Sequence, residues 1–424
     1  MNVLRKAFYN RPTSRSPQKT SSLPWYERSK LIIKLILLGV IGFSSALAVS
    51  LWVLWEEPIR SPISSLTVFR FLQESRLPTR PNKVVYGFLP YWNMCEVQLQ
   101  PELTHLSYFS LTIAGDGSII TRENDYQEPG YNNLQSERFF ELSTEMLENQ
   151  GGVELVLTQF NNTDIASFLR NPQAHQQLID SLDGVILAYP ITGINIDIEP
   201  SGSGSARLRD DLTTFVTTLR THLDTRYDSV QLSIDVYASA SNNQQIWDIP
   251  ALAQQVDYMV VMAYDFHRRT STQAGPVAPL FGGNDLWDSD INQHLQEFIK
   301  FVPSEKILLG VPFYGYGWQT TSRDAQSHTF PNTGSTASIS RVESIRDRSE
   351  ELQVQEHWSE EALSPYISYI EDDEIYVIYY ENSRSISYKL DYVNQLDLGG
   401  VAIWALGYEG DSRELWDVVA RKIQ

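Results

Sequence analysis

The run Ile194-Asn195-Ile196-Asp197-Ile198-Glu199 alternates isoleucine with polar residues. A β-strand turns successive side chains to opposite faces, so Asn195, Asp197 and Glu199 share one face and the isoleucines share the other. Two carboxylic acids one residue apart on that face oppose each other's ionisation, and burial acts in the same direction. One of them is thereby fitted to hold a proton near neutral pH and deliver it to a reacting oxygen, the work of a general acid. A strand that merely showed a polar face to solvent would need no particular residues there.

Something must hold that strand. Apolar runs rich in strand-forming residues occur at 83–91, 103–113, 153–160, 193–199, 230–237, 257–264, 306–314 and 400–406, most of them separated by helical patterns. Strands alternating with helices imply βα units and a parallel sheet, and eight such units imply a closed (β/α)8 TIM barrel of the α/β class. In a barrel the polar face of 193–199 points inward, where an unpaired carboxylate is costly and so needs a reason to be present. Glu199 then falls at the C-terminal end of its strand, the end at which barrel active sites lie. The connection from 315 to about 383 is too long for one helix and contains a strand-like piece at 374–380. It predicts a small α+β insertion between strands 7 and 8, beside the mouth of a barrel domain spanning 83–424.

Residues 192–199, Thr-Gly-Ile-Asn-Ile-Asp-Ile-Glu, resemble the DGxDxDxE signature of glycoside hydrolase family 18, the chitinase family, with Thr192 and Asn195 standing where the pattern has Asp. Three more segments resemble the family in the right order: Met262-Ala263-Tyr264-Asp265 on the sixth strand, Gly310-Val311-Pro312-Phe313-Tyr314-Gly315 on the seventh, and Gly399-Gly400-Val401-Ala402-Ile403-Trp404 on the eighth. The resemblance covers 83–423. It implies retaining, substrate-assisted hydrolysis of β-linked N-acetylglucosamine glycans of the chitin, chitooligosaccharide or peptidoglycan type. In that scheme Glu199 protonates the glycosidic oxygen while the sugar's own acetamido oxygen attacks the anomeric carbon. Asp197 polarises the acetamido N–H, Tyr264 donates to its carbonyl oxygen, and Trp404 forms the floor under the reacting sugar. Asp265, Met262 and Asn195 join the substrate-binding set, as do Tyr86, Phe109 and Tyr314, for which aromatic core packing is the other reading. Trp287 and Trp318 fall in loops, either as stacking platforms or as anchors. A noncatalytic, lectin-like barrel is the alternative function, which turnover of a chitooligosaccharide separates from hydrolysis.

Charge sets the remaining bounds. Residues 1–34 hold eight Lys or Arg against the single acid Glu27, and removing them from the chain totals of 33 and 52 leaves 25 basic against 51 acidic residues. An acidic body of that kind repels nucleic acid, and an aromatic content of 12% suits a site that stacks on sugar faces. No His spacing suggests a metal and no glycine-rich loop suggests a phosphate cofactor, so none is expected. Cys95 is the only cysteine, which excludes an intrachain disulfide. The 21 residues 35–55 carry no charge and follow the basic tail, with Trp52 and Trp55 at their far end. They predict a single-pass membrane anchor with the N-terminus cytoplasmic, a linker at 56–82 and the barrel outside. Ala46-Leu47-Ala48 allows a cleaved signal peptide and a secreted form instead. The oligomeric state is left open.

Overall fold

The computed structural model describes residues 83–202, 205–242 and 245–423, together with Lys30 and Lys34. The membrane anchor expected at 35–55 and the linker at 56–82 lie outside the described residues. Among the described residues no helix is long and apolar enough to cross a membrane.

Apart from a two-residue hairpin pairing Arg122–Glu123 with Tyr126–Gln127, seven strands come first: β1 (Val84–Pro90), β2 (His105–Thr112), β3 (Gly152–Gln159), β4 (Gly193–Ile198), β5 (Gln231–Tyr237), β6 (Tyr258–Met262) and β7 (Ile307–Pro312). Five more, β8 (Gly315–Thr320), β9 (Ser335–Ala337), β10 (Gln355–Ser359), β11 (Ser364–Glu371) and β12 (Glu374–Tyr379), precede β13 (Gly400–Trp404). Strands β1 to β7 and β13 close into one barrel in the order β1-β13-β7-β6-β5-β4-β3-β2, every neighbour parallel. All eight segments expected as barrel strands supply one, and the eight-stranded parallel barrel is the architecture that their βα alternation implies.

Both faces of each barrel strand are covered, which is why the strands read as near-continuous apolar runs. Outward residues such as Ile194, Ile196 and Ile198 join a large core with the surrounding helices. The helix Ala206–Arg226 behind β4 contributes Leu212, Phe215, Val216, Leu219 and Leu223 at helical spacing. Its first turn is capped by Ser205, whose hydroxyl accepts from the Leu208 N–H at 3.2 Å.

The barrel interior is divided. One side is apolar, with Val84, Tyr86, Phe88, Phe109, Val156, Val260, Leu308 and Ala402 packed together. Against it stand buried polar groups from β2 to β5, among them Ser107, Glu154, Asn195, Asp197, Ser233 and Asp235.

Strands β8 to β12 form a separate antiparallel sheet ordered β9-β8-β12-β11-β10. One face packs on the helix Ile339–Asp347 through Val342, Ile345, Ile367 and Ile378. The other carries Tyr316, Trp318, Val377 and Tyr379 into a second cluster with Tyr314, Ala274 and Val277 at the barrel mouth.

Candidate active site

The site is built on two neighbouring strands with the same alternation. β4 and β5 run in a register that pairs Asn195 with Ser233 and Ile196 with Ile234. Two residues further along each strand stand Asp197 and Asp235, and two further again Glu199 and Tyr237. Asn195 Nδ2 donates to Ser233 Oγ at 2.9 Å and to Asp235 Oδ1 at 2.8 Å. The Asp197 and Glu199 carboxyls are hydrogen-bonded to each other, and the Tyr237 hydroxyl donates to Glu199. Glu199 lies one residue past the end of β4, part-exposed, and its N–H is held by the Gln159 carbonyl at 3.1 Å.

Each acid in this pair of strands resists ionisation for a stated reason. Burial lifts the Asp197 carboxyl well above the usual range, and the charges of Glu199 and Asp235 add to it. Burial also raises Glu199, against the opposing hydrogen bonds from Tyr237 and Asp197. Asp235 is raised well above the usual range, first by burial, with the Asn195 hydrogen bond working the other way. Below them Glu154 is fully buried and pushed up to about 7, again by burial, although Ser233 Oγ donates to it at 2.5 Å and Tyr86 OH at 2.8 Å. The shared hydrogen bond between Asp197 and Glu199, in a site that disfavours charge, supplies the proton-holding group that a general acid requires.

Above these strands lies a cavity of about 360 Å³. Asp197, Glu199 and Asp235 open into it, and Tyr264, Met262, Tyr314, Trp404 and Phe109 line it from other strand ends. Trp404 rests on Phe109, ring centroids 4.7 Å apart and nearly perpendicular, and on Phe88 at 5.5 Å. Tyr264 reaches the cavity past β7 because residue 310 is glycine: a Cβ there would stand 3.0 Å from the Tyr264 ring and 2.6 Å from the Val261 carbonyl. Burial, with the charges of Asp235, Glu199 and Asp197, holds the Tyr264 hydroxyl well above its ordinary range, so it stays a hydrogen-bond donor. Asp265 turns the chain sharply at φ 61, a left-handed conformation that Asp tolerates better than most residues. That turn brings its carboxylate under two phenols: Tyr316 OH donates to Oδ1 at 3.0 Å, and Tyr314 OH donates to the same oxygen. A wider depression of about 680 Å³ adjoins the cavity and shares Tyr237, Met262, Tyr264, Asp265 and Arg268 with it.

The structure thus brings together Glu199, Asp197, Tyr264, Trp404, Asp265, Met262, Phe109 and Tyr314. Two residues of the expected substrate-binding set stand elsewhere. Tyr86 is fully buried in the barrel interior, where its hydroxyl serves Ser107 and Glu154, and Asn195 lies one step of the strand below Asp197 with both amide N–H bonds spent on Ser233 and Asp235. Neither lines the cavity. Thr192 braces the foot of β4, its hydroxyl accepting from the Val153 N–H at 2.8 Å. Trp318 is buried, its indole N–H donating to the Arg268 carbonyl, so it is an anchor; Trp287 lines the adjoining depression.

Sequence reasoning missed Asp235 and Tyr237, although Ser233-Ile234-Asp235-Val236-Tyr237 shows the same polar alternation as β4. It also missed Tyr316 and Thr336, which the inserted sheet contributes to the cavity wall, and the half-exposed Phe160 and exposed Arg268 at its edge. Among the described residues no cluster of His, Cys, Asp and Glu could hold a metal ion.

The chain is 28% identical over 310 residues to a Bacillus subtilis protein that carries the name sporulation-specific glycosylase YdhD, an alignment covering 72% of this chain and 66% of the relative. It is 28% identical over 265 residues to a class V chitinase of Arabidopsis thaliana, covering 59% of this chain and 67% of that one. The cortical fragment-lytic enzyme of Bacillus anthracis is 24% identical over 325 residues, covering 73% and 66%. The chain therefore spans about two thirds of the length of these relatives. Among solved structures, the Ostrinia furnacalis Group IV chitinase shares the fold with a TM-score of 0.69 at 20% identity, covering 81% of this chain and 100% of that one. The Bacillus cereus spore cortex-lytic enzyme does so with a TM-score of 0.62 at 18% identity, covering 82% and 76%. The family model for glycosyl hydrolases family 18 matches residues 80–409, which takes in every barrel strand and every cavity residue named above, and the chain belongs to that family of glycoside hydrolases.

Proposed function

We propose that this protein hydrolyses β-linked N-acetylglucosamine glycans with retention of configuration, Glu199 acting as the general acid and the substrate's acetamido group as the nucleophile. The observation that carries the reading is the hydrogen bond between Asp197 and Glu199. An enzyme with a protein nucleophile keeps its two carboxyls roughly 5–5.5 Å apart across the scissile bond, and an inverting one keeps them farther. A hydrogen-bonded pair is closer than either arrangement. Of the other cavity acids, Asp265 is engaged by Tyr314 and Tyr316, and Asp235 accepts from Asn195. The acetamido oxygen is then the remaining nucleophile within reach, with Asp197 and Tyr264 on the same wall to orient it.

Trp404 on its bed of Phe109 and Phe88 gives a flat, rigid face for the reacting sugar, since both supporting rings hold it edge-on or tilted. The relatives bear the names of chitinases and of enzymes acting on spore cortex, so both chitooligosaccharides and peptidoglycan fragments belong in the substrate panel.

The test compares matched oligosaccharides whose reacting sugar carries N-acetyl or a free amine at C2. The acetylated compound should be cleaved and the deacetylated one bound but scarcely turned over, because the large effective molarity of the internal nucleophile is lost. A thiazoline analogue of the oxazolinium ion that the acetamido attack would form should inhibit strongly. Equal cleavage of the two substrates, or a trapped covalent glycosyl-enzyme, overturns the mechanism.

A further inference from the structure

The signature that β4 resembles has a carboxylate at the position held here by Asn195, and in this chain the neighbouring strand brings one within hydrogen-bond distance of the Asn195 amide. Asp235 lies on β5, buried at 2% exposure, with Oδ1 2.8 Å from the Asn195 amide nitrogen, and it lines the cavity that Asp197 and Glu199 line. We propose that Asp235 is a positioning residue of the acid cluster, supplying from β5 the third carboxyl absent from β4 and keeping a proton on the Asp197–Glu199 pair. This rests on the function proposed above.

The hydrogen bonding favours this arrangement over an accidental burial. An amide at 195 can donate to two acceptors at once, and it does so, tying Asp235 to Ser233 and through the Ser233 hydroxyl to Glu154. A carboxylate at 195 could donate nothing and would face Asp235 with like charge. Asn at 195 and Asp at 235 therefore form one exchange: the charge moves to the adjacent strand and the donor stays behind to orient it. The Asp197 Oδ1 atom is buried and has no hydrogen-bond partner among the described residues, so no donor at that oxygen stabilises Asp197 as an anion.

The groups that face Asp235 are acids and phenols: Asp197 and Glu199 from β4, Glu154 from β3, Tyr86 from β1, and Tyr264 from the end of β6. The nearest cation along the cavity wall is Arg268, part of whose charge reaches Glu199. No cation stands beside Asp235 among the described residues, so although burial delays its ionisation, once ionised it acts by repulsion alone. That repulsion falls on Asp197, so the proton Asp197 shares with Glu199 is held to higher pH, which is the state the reaction requires.

Asp235→Asn removes that repulsion while leaving an oxygen for the Asn195 amide to bond. The limb on which kcat falls as pH rises should move down by about one unit, a typical effect of a neighbouring carboxylate. The exchange variant Asn195→Asp with Asp235→Asn returns a carboxyl to the cluster across the same hydrogen bond, and it should move the limb back toward the parent and recover rate relative to the single variant. The same shift should appear, without turnover, in the pH dependence of thiazoline affinity measured by calorimetry. A parent that cleaves none of the glycan panel and does not bind thiazoline refutes the functional reading itself. A parent that cleaves, with an Asp235→Asn profile superimposable on it, refutes the role of Asp235 alone. So does a folded, thiazoline-binding exchange variant whose profile stays with the single variant.

Discussion

Tyr237 provides the most discriminating test of how the proton on Glu199 is tuned. Its hydroxyl donates to the Glu199 carboxyl, and that bond favours the ionised form, so it opposes the upward push of burial. Tyr237→Phe removes the hydroxyl and keeps the ring, which packs on Trp247 with centroids 4.8 Å apart. A hydrogen bond to a charged group is worth about 1.5–3 kcal/mol, which corresponds to about 1–2 pKa units. Tyr237 is part-exposed, and water replaces some of what is lost, so an upward shift of about half to one unit is expected. Because the proton must be on the donor for the reaction to start, the high-pH limb of kcat should move up by that amount. The maximal rate should fall only a few-fold, since a weaker acid transfers its proton less readily. The assay is kcat against pH on an acetylated chitooligosaccharide, read as the apparent constant of the Asp197–Glu199 pair rather than of one residue. A limb that stays in place, or moves down as expected for Asp235→Asn, refutes the reasoning, because the two variants remove groups that act on the pair with opposite sign.

Glu199→Gln keeps the shape of the donor without its transferable proton, and kcat should drop by about 10²–10⁴-fold with thiazoline binding retained; near-parental turnover rules Glu199 out as the acid. Trp404→Ala removes the proposed sugar floor, at an expected cost of about 1–2 kcal/mol in binding, so KM should rise about 5–30-fold and more than kcat falls, which steady-state kinetics resolves. Glu154→Gln tests the buried carboxyl by stability. The folded value of about 7 lies above the ordinary 4.5, so the protonated acid's contribution is complete below pH 4.5 and is lost as pH rises through 7. The neutral amide escapes that loss: the variant should match the parent at pH 4 and exceed it by up to about 3 kcal/mol at pH 8 in denaturant titrations, and equal stability at both pH values contradicts the assignment.

The fold was legible because barrel strands are buried on both faces and stand out as apolar runs, and because the inward face of β4 is polar where polarity needs a reason. The site was legible only in part. Strand parity shows which residues point inward but not how deep they lie, and each two-residue step moves about 6–7 Å along the strand. Tyr86 and Asn195 have the right parity and lie too low. Asp235 and Tyr237 repeat the β4 alternation one strand away, but a strand carrying one acid among Ser, Ile, Val and Tyr does not separate itself from ordinary barrel packing until the register with β4 is known. Tyr316 and Thr336 come from strands β8 and β9, whose approach to the cavity depends on the antiparallel pairing β9-β8-β12, a non-local arrangement without a local sequence signal.

The four acids of the barrel interior also change what the net charge of this protein means. The formal value of −19 counts Glu154, Asp197, Asp235 and Glu199 as anions. In the folded protein all four are held above their ordinary range, burial being the first cause for each. Between the ordinary carboxylate range and neutrality the native chain is therefore less negative than its composition states, and unfolding releases protons into the solvent. The heat of unfolding measured near pH 6 must then vary with the ionisation enthalpy of the buffer, so the stored protons of the active site are visible to a calorimeter in the absence of any substrate.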